Sequence, residues 1–293
     1  MVTEQPPLAE PPEPPEPPEP PEPPDWLAEP PEPPGEITVP SSVAAIAAGQ
    51  PVRPLWENEL GGRAFLVGAG AGQRFVKWTP ADSGIDLAAE RDRMAWAGAY
   101  TPVARPLDLG ADEAGSWLIT TALPGQNAVS PRWLADPRTA VTAIGTGLRA
   151  LHDRLPVADC PFSWAAAERV AQAQRGAADG WLDPARWHED HQPLGVDRAL
   201  ELAAEVPPVD RLVVCHGDAC SPNTLLDDEG RWSAHVDLGE LGVADRWADL
   251  AVATWSTEWN YGPGWEGLLL DAYGIAPDSD RTRYYRLLWD MSA

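Results

Sequence analysis

The first 36 residues are dominated by a proline–glutamate repeat, and this repeat excludes most kinds of regular structure. The segment contains sixteen of the chain's 34 prolines, ten acidic residues and no basic residue, and its centre reads PPEPPEPPEPPEPP. Proline cannot continue a helix or a central strand, so the repeat favours an extended polyproline II conformation without a packed core. We therefore predict a disordered extension at residues 1–40. Its two interpretations are a solubilising spacer and a docking peptide for a partner protein.

The composition of the whole chain limits its partners and its compartment. The formal net charge is −24, which disfavours binding to nucleic acid and to anionic membranes. Three cysteines, an odd number in a long chain, do not indicate a disulfide framework. The N-terminus MVTEQPPLAE lacks the basic start and the apolar run of a signal peptide, and no apolar run is long enough to span a membrane. These features predict a soluble cytoplasmic protein.

From about Ser41 the composition becomes that of a globular protein. The stretch WENELGGRAFLVGAGAGQRFVKW reads as strands separated by glycine-rich turns, and it leads to Lys77. Lys77 is the single lysine among 21 basic residues, which suggests a position where arginine cannot substitute. The next stretch, SGIDLAAERDRMAWAGAY, predicts a helix that Ser83 caps.

A second boundary follows the strand SWLITTAL at residues 116–123. Pro124 and Gly125 interrupt the chain there, so we predict one lobe at 41–123 and a second lobe at 124–293. The second lobe opens with a helix, because apolar residues recur at a spacing close to 3.6 and Pro156 follows: Val141, Ile144, Leu148 and Leu151. RLVVCHG reads as a buried strand that enters a loop, and TLLDDEGRWSAHVDLG reads as a hairpin.

The loop CHGDACSPN, from Cys215 to Asn223, concentrates reactive side chains. Its two thiols and its imidazole are zinc-type ligands, but no second Cys-x-x-Cys or His pair completes a set. A Cys/His nucleophile pair is another reading, for which the rest of the chain offers no support. In a third reading, His216 and the cysteines are structural, and the chemistry belongs to Asp218 and Asn223.

The third reading is phosphoryl transfer, which depends on residues far apart in the chain. Asn223 lies five residues after Asp218, and Asp237 follows the next hairpin. A kinase uses one carboxylate to orient a hydroxyl group, and an amide and a second carboxylate to hold magnesium against the phosphates. It also uses a lysine on a strand, held by a helix carboxylate, and Lys77 and Glu90 suit these roles. Together the five residues predict a magnesium-dependent phosphoryl-transfer enzyme.

These segments resemble a known enzyme family. HGDACSPNTLL and VDLGELGVADRWADLA closely resemble the catalytic segments of aminoglycoside 3'-phosphotransferases, and the resemblance runs from about Trp56 to the C-terminus. It implies an α+β, bilobal protein-kinase-like fold, with an antiparallel-sheet N-terminal lobe that carries one helix and a mostly helical C-terminal lobe. It also implies transfer of the γ-phosphate of ATP, with Mg²⁺, to an aminoglycoside. The expected acceptor is the 3'-hydroxyl of kanamycin- or neomycin-type drugs, and the transfer inactivates the drug and gives resistance.

The resemblance assigns roles by position. Asp218 corresponds to the catalytic base, and Asn223 and Asp237 to the magnesium ligands. Lys77 corresponds to the phosphate-binding lysine and Glu90 to its ion-pair partner. The remaining matches are two hinge positions that meet adenine and five positions in the antibiotic pocket: Thr121 and Leu123, then Asp183, Glu189, Asp190, Arg246 and Asp290.

The chain also departs from the family. It ends in WDMSA where the family often has Asp-Glu and two Phe, and GGRAF stands in place of a kinase glycine loop. One alternative is a kinase of the same fold that acts on another antibiotic, choline or an amino sugar. Another is a non-catalytic binding module that docks through the Pro/Glu tail, although the complete residue set argues against it. Asp245 and Asp249, in the second segment, are expected to cap or brace the segment after Asp237 and not to take part in the chemistry.

Overall fold

The computed structural model of the protein describes residues 37–292, except for the side chain of Ala71. The prediction of a disordered extension falls largely on residues 1–36 and lies outside this range. At its end, Ile37 and Val39 pack against the core of the first sheet. No helix in the described range is long and apolar enough to cross a membrane.

A short helix and a five-stranded sheet form the first part of the structure. All neighbouring strands are antiparallel, in the order β1-β2-β3-β5-β4. One face of the sheet buries Phe65, Val76 and Ile119 against the helix. Because side chains alternate along a strand, Lys77 on the central strand β3 lies on the opposite face. The bounds are Ser41–Ala47 (α1), Val52–Glu57 (β1), Arg63–Val67 (β2), Arg74–Pro80 (β3), Pro106–Ala111 (β4) and Gly115–Thr121 (β5).

Helix α2, Leu87–Ala97, packs against β4 and β5. It begins later than the sequence predicts, because Asp86 and not Ser83 caps it. The Asp86 carboxylate accepts from the backbone N–H groups of Ala88 and Ala89, both at 3.0 Å. The Ser83 hydroxyl instead lies 2.6 Å from the hydroxyl of Thr79.

The second part is mostly helical, with seven helices after Pro124 in the described range. The predicted helix is α4, and its apolar stripe from Val141 to Leu151 is buried. Burying each of these large side chains contributes about 1.5–3 kcal/mol, which fixes α4 as the core of this part. The bounds are Pro131–Leu134 (α3), Pro137–Arg154 (α4), Ala166–Asp179 (α5), Gly195–Ala203 (α6), Trp247–Tyr261 (α7), Glu266–Tyr273 (α8) and Ser279–Asp290 (α9).

Five short strands position the loops of the second part. β8 and β9 form the predicted hairpin, with Gly230 in its turn at a φ of 77°. β7 and β10 pair antiparallel, with Cys215 opposite Gly242. Residues 216–223, after β7, therefore emerge beside residues 236–241, which precede β10. The bounds are Gln126–Asn127 (β6), Leu212–Cys215 (β7), Thr224–Leu226 (β8), Trp232–His235 (β9) and Gly242–Asp245 (β10). The lobe boundary at 123/124 stays a prediction.

Candidate active site

Lys77 lies at the centre of the first group of candidate residues. Its Nζ is 2.7 Å from Glu90 Oε1 and 2.7 Å from Asp237 Oδ1. The three side chains come from β3, from the first turn of α2 and from the loop after β9. The fold thus joins a lysine and a carboxylate that are 160 residues apart in the chain.

The electrostatics of this group favour a charged lysine. Burial lowers the pKa of Lys77, but the carboxylates of Asp237 and Glu90 outweigh this effect and raise the pKa above its usual value. Burial likewise opposes ionisation of Asp237, yet the Lys77 ammonium holds the pKa of that carboxyl below its usual range. Glu90 is the more enclosed partner, with 7% of its side chain exposed against 40% for Asp237. Asp237 is therefore the partner that a ligand can reach.

Asp218 and Asn223 form the second group, in the loop that follows β7. Asn223 Nδ2 donates to Asp218 Oδ2 at 2.9 Å and to the Asp218 carbonyl at 3.0 Å. The amide therefore holds the carboxylate in place, and its own Oδ1 is the atom left for a cation. Asp218 Oδ1 is buried and has no hydrogen-bond partner among the described residues. A buried acceptor without a donor is costly, so this atom marks a place for a donor such as a substrate hydroxyl.

Asp249, at the start of α7, braces the loop that carries Asp218. Its carboxylate accepts from the backbone N–H groups of His216 at 2.6 Å and Gly217 at 2.9 Å. It also lies 2.9 Å from His152 Nε2, and His152 Nδ1 lies 2.9 Å from the Tyr273 hydroxyl. Asp249 therefore braces the loop before Asp218, whereas the sequence suggested that it braces the segment after Asp237. His152 was not predicted as a functional residue, although it follows Leu148 by four residues on the buried face of α4.

The backbone at Gly217, next to Asp218, and at Asp237 has a positive φ, which is unusual outside turns. Gly217 has a φ of 89°, and a Cβ added there would lie 2.2 Å from the carbonyl oxygen of Glu240. Only glycine allows this approach, which presses the Asp218 loop against the Asp237 loop. Asp237 itself has a φ of 63°, in the left-handed region that aspartate tolerates better than most residues.

Cys215 and His216 of the CHGDACSPN loop make hydrogen-bond contacts within the protein. Cys215 Sγ contacts the Asp245 carbonyl at 3.4 Å, and burial raises the pKa of both Cys215 and Cys220. His216 Nε2 lies 2.9 Å from the carbonyl oxygen of Val236. A different set, His152, Cys215 and Asp249, does converge within the described residues, but hydrogen bonds already occupy it. Neither the zinc reading nor the thiol-nucleophile reading gains support from these contacts.

The two hinge candidates lie at the end of the first sheet. Thr121 ends β5, its N–H donates to the Arg105 carbonyl at 3.0 Å, and its hydroxyl accepts from Arg105 N–H at 3.0 Å. Its backbone donor is therefore already used within the sheet. Leu123 is partly buried against the core of the second part.

The acidic segment from Asp183 to His191 forms a loop that packs on α7 and α9. Asp183 caps a short 3-10 turn by accepting from Ala185 N–H at 3.0 Å, and both Glu189 and Asp190 are exposed. Asp290, at the end of α9, is buried, and its Oδ2 lies 3.0 Å from His188 N and 2.5 Å from His191 Nδ1. Asp290 therefore holds the loop, while Glu189 and Asp190 stay accessible.

Helix α7 contacts both this acidic loop and the loop 216–223 that carries Asp218. The ring of His188 lies 4.6 Å from the ring of Trp255, centroid to centroid. The next residue, Ser256, accepts from Ser221 N–H at 2.8 Å. The two loops are therefore attached to consecutive residues of one helix. Ser256 was missed at the sequence level, although it is a polar residue within an apolar helix.

The turn between β1 and β2 also reaches the acidic loop. Glu59 in that turn forms an ion pair with Arg186. Both side chains are largely exposed, so the pair contributes little to stability. It does show that the hairpin of the sheet and the acidic loop meet.

Arg246 forms an ion pair with Asp210. Its Nε donates to Asp210 Oδ2 at 2.6 Å, at the start of α7. β10 runs away from the site, because Gly242 pairs with Cys215 whereas Asp245 pairs with Leu212. Arg246 therefore lies at the end of this ribbon away from Cys215, and its place in an antibiotic pocket stays a prediction.

Comparison with known sequences gives a consistent set of relatives. The model of the phosphotransferase enzyme family matches residues 53–285, a span that includes Lys77 and Asp237 and stops before Asp290. The aminoglycoside 3'-phosphotransferase of Streptomyces fradiae is 39% identical over 219 residues, which cover 71% of this chain and 81% of that protein. The streptomycin 3''-kinase of Streptomyces griseus is 38% identical over 239 residues, which cover 72% and 82%.

Comparison with solved structures gives the same result. Aminoglycoside phosphotransferase APH(3'')-Id from Streptomyces rimosus matches with a TM-score of 0.72 and 31% identity, over 85% of this chain and 96% of that chain. The structure of that protein in complex with ADP and streptomycin matches with a TM-score of 0.64 and 30% identity, over 83% and 92%.

Proposed function

The chain belongs to the aminoglycoside phosphotransferase family, with its bilobal protein-kinase-like fold, and from this premise we propose that it transfers the γ-phosphoryl group of ATP to an aminoglycoside. The proposed acceptor is the 3'-hydroxyl of a kanamycin- or neomycin-type drug, and the product is an inactive phosphorylated drug. One observation carries the proposal: Lys77 lies 2.7 Å from both Glu90 and Asp237. Phosphoryl transfer needs this lysine held in place.

We assign the proton transfer to Asp218. Its buried and unpartnered Oδ1 would accept the proton of the substrate hydroxyl, while Asn223 holds Oδ2 at 2.9 Å. The hydroxyl oxygen then forms a bond to the γ-phosphorus, the bond to the bridging oxygen of ADP breaks, and ADP leaves with the electron pair. The contribution of Asp218 is mainly orientation of the nucleophile.

Asn223 and Asp237 suit a magnesium ion, because both offer oxygen ligands of the kind that Mg²⁺ prefers. Asp237 is accessible, and the amide of Asn223 is turned so that its nitrogen binds Asp218. When bound, the ion would neutralise charge on the β- and γ-phosphates. Lys77 would keep its bond to the enclosed Glu90 and exchange Asp237 for phosphate oxygens. We assign the adenine contact to the chain around Leu123, since the Thr121 donor is already used.

The acidic loop accounts for recognition of a polycation. Asp183, Glu189 and Asp190 are all exposed, and ammonium groups of an aminoglycoside would pair with these carboxylates. Asp290 would act mainly by holding the loop, because it is buried and already contacts His188 N–H and the His191 ring.

A second acceptor has comparable support. The streptomycin 3''-kinase relative is 38% identical, against 39% for the 3'-phosphotransferase, and the structure with ADP and streptomycin covers 83% of this chain. Streptomycin carries guanidinium groups, which also pair with carboxylates.

A substrate panel tests the proposal. ADP release should be measured with kanamycin B, neomycin, streptomycin and tobramycin, which lacks the 3'-hydroxyl of kanamycin B. Turnover of kanamycin B but not tobramycin supports the 3' position, and turnover of streptomycin alone supports the second acceptor. Asp218→Asn should lose turnover while it binds nucleotide normally. Absence of turnover with every aminoglycoside would refute the proposal.

A further inference from the structure

Helix α2 is linked to the Asp237 loop, residues 237–241, directly at one place and through Lys77 of β3 at another. The first contact runs from Glu90 through Lys77 to Asp237. In the second, Arg93 Nε donates to the carbonyl oxygen of Leu241 at 2.9 Å. Positions three apart share one face of a helix, so both contacts come from the same face of α2, about one turn apart.

Arg93 is also fixed on a second side. Its guanidinium carbon lies 5.2 Å from the centroid of the Phe162 ring, a cation–π distance. Phe162 is tied to β10, because its carbonyl accepts from Val243 N–H at 2.9 Å. Trp96 on α2 meets the same ring edge-on at 6.2 Å. Arg93 therefore connects α2 to the end of the Asp237 loop that leads into β10.

The Leu241 carbonyl that Arg93 binds lies next to the contact between the Asp218 loop and the Asp237 loop. The Asp237 loop packs against Gly217, the neighbour of Asp218, with room for no Cβ beside the Glu240 carbonyl. Glu240 is partly buried, which raises its pKa, and the charges of Arg93 and Arg169 act in the opposite direction. Arg93 thus reaches the point where the two loops meet.

We propose that Arg93 is a positioning residue for phosphoryl transfer: it holds α2 on the Asp237 loop and so keeps the Lys77–Glu90 pair aligned with Asp237 and Asp218. The two contacts of α2 with this loop differ in one respect. Lys77 must release Asp237 when it binds phosphate, whereas the Arg93–Leu241 hydrogen bond has no such conflict. Arg93 therefore matters most in the nucleotide-bound enzyme. This inference rests on the proposed function for its assay of turnover.

Three variants of the full chain test the inference. Arg93→Ala removes the contact, Arg93→Lys keeps the charge but not the planar fork, and Arg91→Ala is the matched control. Arg91 lies on the same helix, is 41% exposed and pairs with its neighbour Asp92. Arg93→Ala should raise the Kd of Mg·AMP-PNP and lower kcat, each about tenfold. Arg93→Lys should fall between it and wild type, and Arg91→Ala should match wild type. The KM for aminoglycoside should change less than twofold in all three.

A double-mutant cycle tests whether Arg93 acts through Glu90. If it does, the variant with both Arg93→Ala and Glu90→Gln should bind and react like Glu90→Gln alone, within about twofold. The inference would be overturned if the fold-changes of Arg93→Ala and Glu90→Gln multiplied in the double variant. It would also be overturned if the Arg93 variants had lower thermal stability but an unchanged Kd and kcat. The Kd measurement needs no aminoglycoside. If wild type turns over no drug, the proposed function fails, while the nucleotide Kd still decides the role of Arg93.

Discussion

Replacing Asp249 with asparagine should both destabilise the protein and slow its reaction. The buried carboxylate accepts from His216 N–H at 2.6 Å and Gly217 N–H at 2.9 Å, and it lies 2.9 Å from His152 Nε2. Asparagine has the same shape, but its NH₂ group cannot accept a hydrogen bond. One hydrogen bond to a charged group contributes about 1.5–3 kcal/mol, and a buried N–H left unpaired costs about 1–3 kcal/mol. We therefore expect a loss of about 3–5 kcal/mol in the free energy of unfolding.

The effect on the reaction comes from the same contacts. Gly217 precedes Asp218, so loosening its N–H moves the residue that we assign as the base. A displacement of about 1 Å can cost about 10²-fold in rate, and we expect a loss of that order in kcat. The assays are urea unfolding followed by tryptophan fluorescence and steady-state phosphorylation.

Asp245→Asn provides the matched control. Asp245 is also buried and accepts from Asp210 N–H at 2.7 Å and Trp247 N–H at 3.1 Å. Neither donor belongs to the loop 216–223 that carries Asp218. This variant should lose a similar amount of stability and keep kcat within about twofold. The reasoning is refuted if Asp249→Asn unfolds within about 1 kcal/mol of wild type, or if its kcat is unchanged.

The same carboxylate should make stability depend on pH. Burial alone would raise the pKa of Asp249, but the hydrogen bond with His152 outweighs it and holds the pKa below its usual value. The unfolded chain then binds the proton more readily than the folded protein. The stabilisation is therefore complete above the unfolded pKa of about 3.9 and is lost as the pH falls through the folded value. Urea midpoints measured down to pH 3 should fall more steeply for wild type than for Asp249→Asn.

Three further predictions concern the other parts of the site. Lys77→Arg should lower kcat/KM for ATP by at least about 10²-fold, because a planar fork cannot replace a point charge between two carboxylates; near-normal kinetics would contradict this. Gly217→Ala should lower the Tm and abolish activity, since the added Cβ would meet the Glu240 carbonyl at 2.2 Å and the φ of 89° disfavours alanine; a fully active and stable variant would argue against the close packing. Asp290→Asn should raise the KM for aminoglycoside and leave the KM for ATP unchanged, because its carboxylate binds His191; initial rates with each substrate varied will show this.

Much of the local structure was predictable from the sequence. The apolar spacing of α4 and the hairpin at Gly230 follow from periodicity and turn chemistry, which act within a few residues. The first residue of α2 was not predictable from the sequence, because Ser83 and Asp86 are both good N-cap residues. A contact with Thr79 on the neighbouring strand engages Ser83 and leaves the cap to Asp86.

The position of Arg246 in the fold was not predictable for a related reason. It lies only nine residues after Asp237 in the sequence, but antiparallel pairing carries β10 away from the site before Arg246 is reached. Distance along the chain therefore gave no guide to distance in space. Residues that connect loops, such as Arg93 and Ser256, carry no motif, so only the packing shows their contacts.

The order of amino acids was sufficient to show which side chains were available for chemistry: one lysine on an apolar strand, the helix carboxylate Glu90, and Asp218, Asn223 and Asp237 in order. It did so because charge, periodicity and turn residues are local properties. Only the tertiary structure decided that Lys77 meets Glu90 and Asp237, that Asp249 holds the Asp218 loop, and that Asp290 supports the acidic loop. Those contacts depend on sheet register and helix packing, which bring together side chains as far as 160 residues apart.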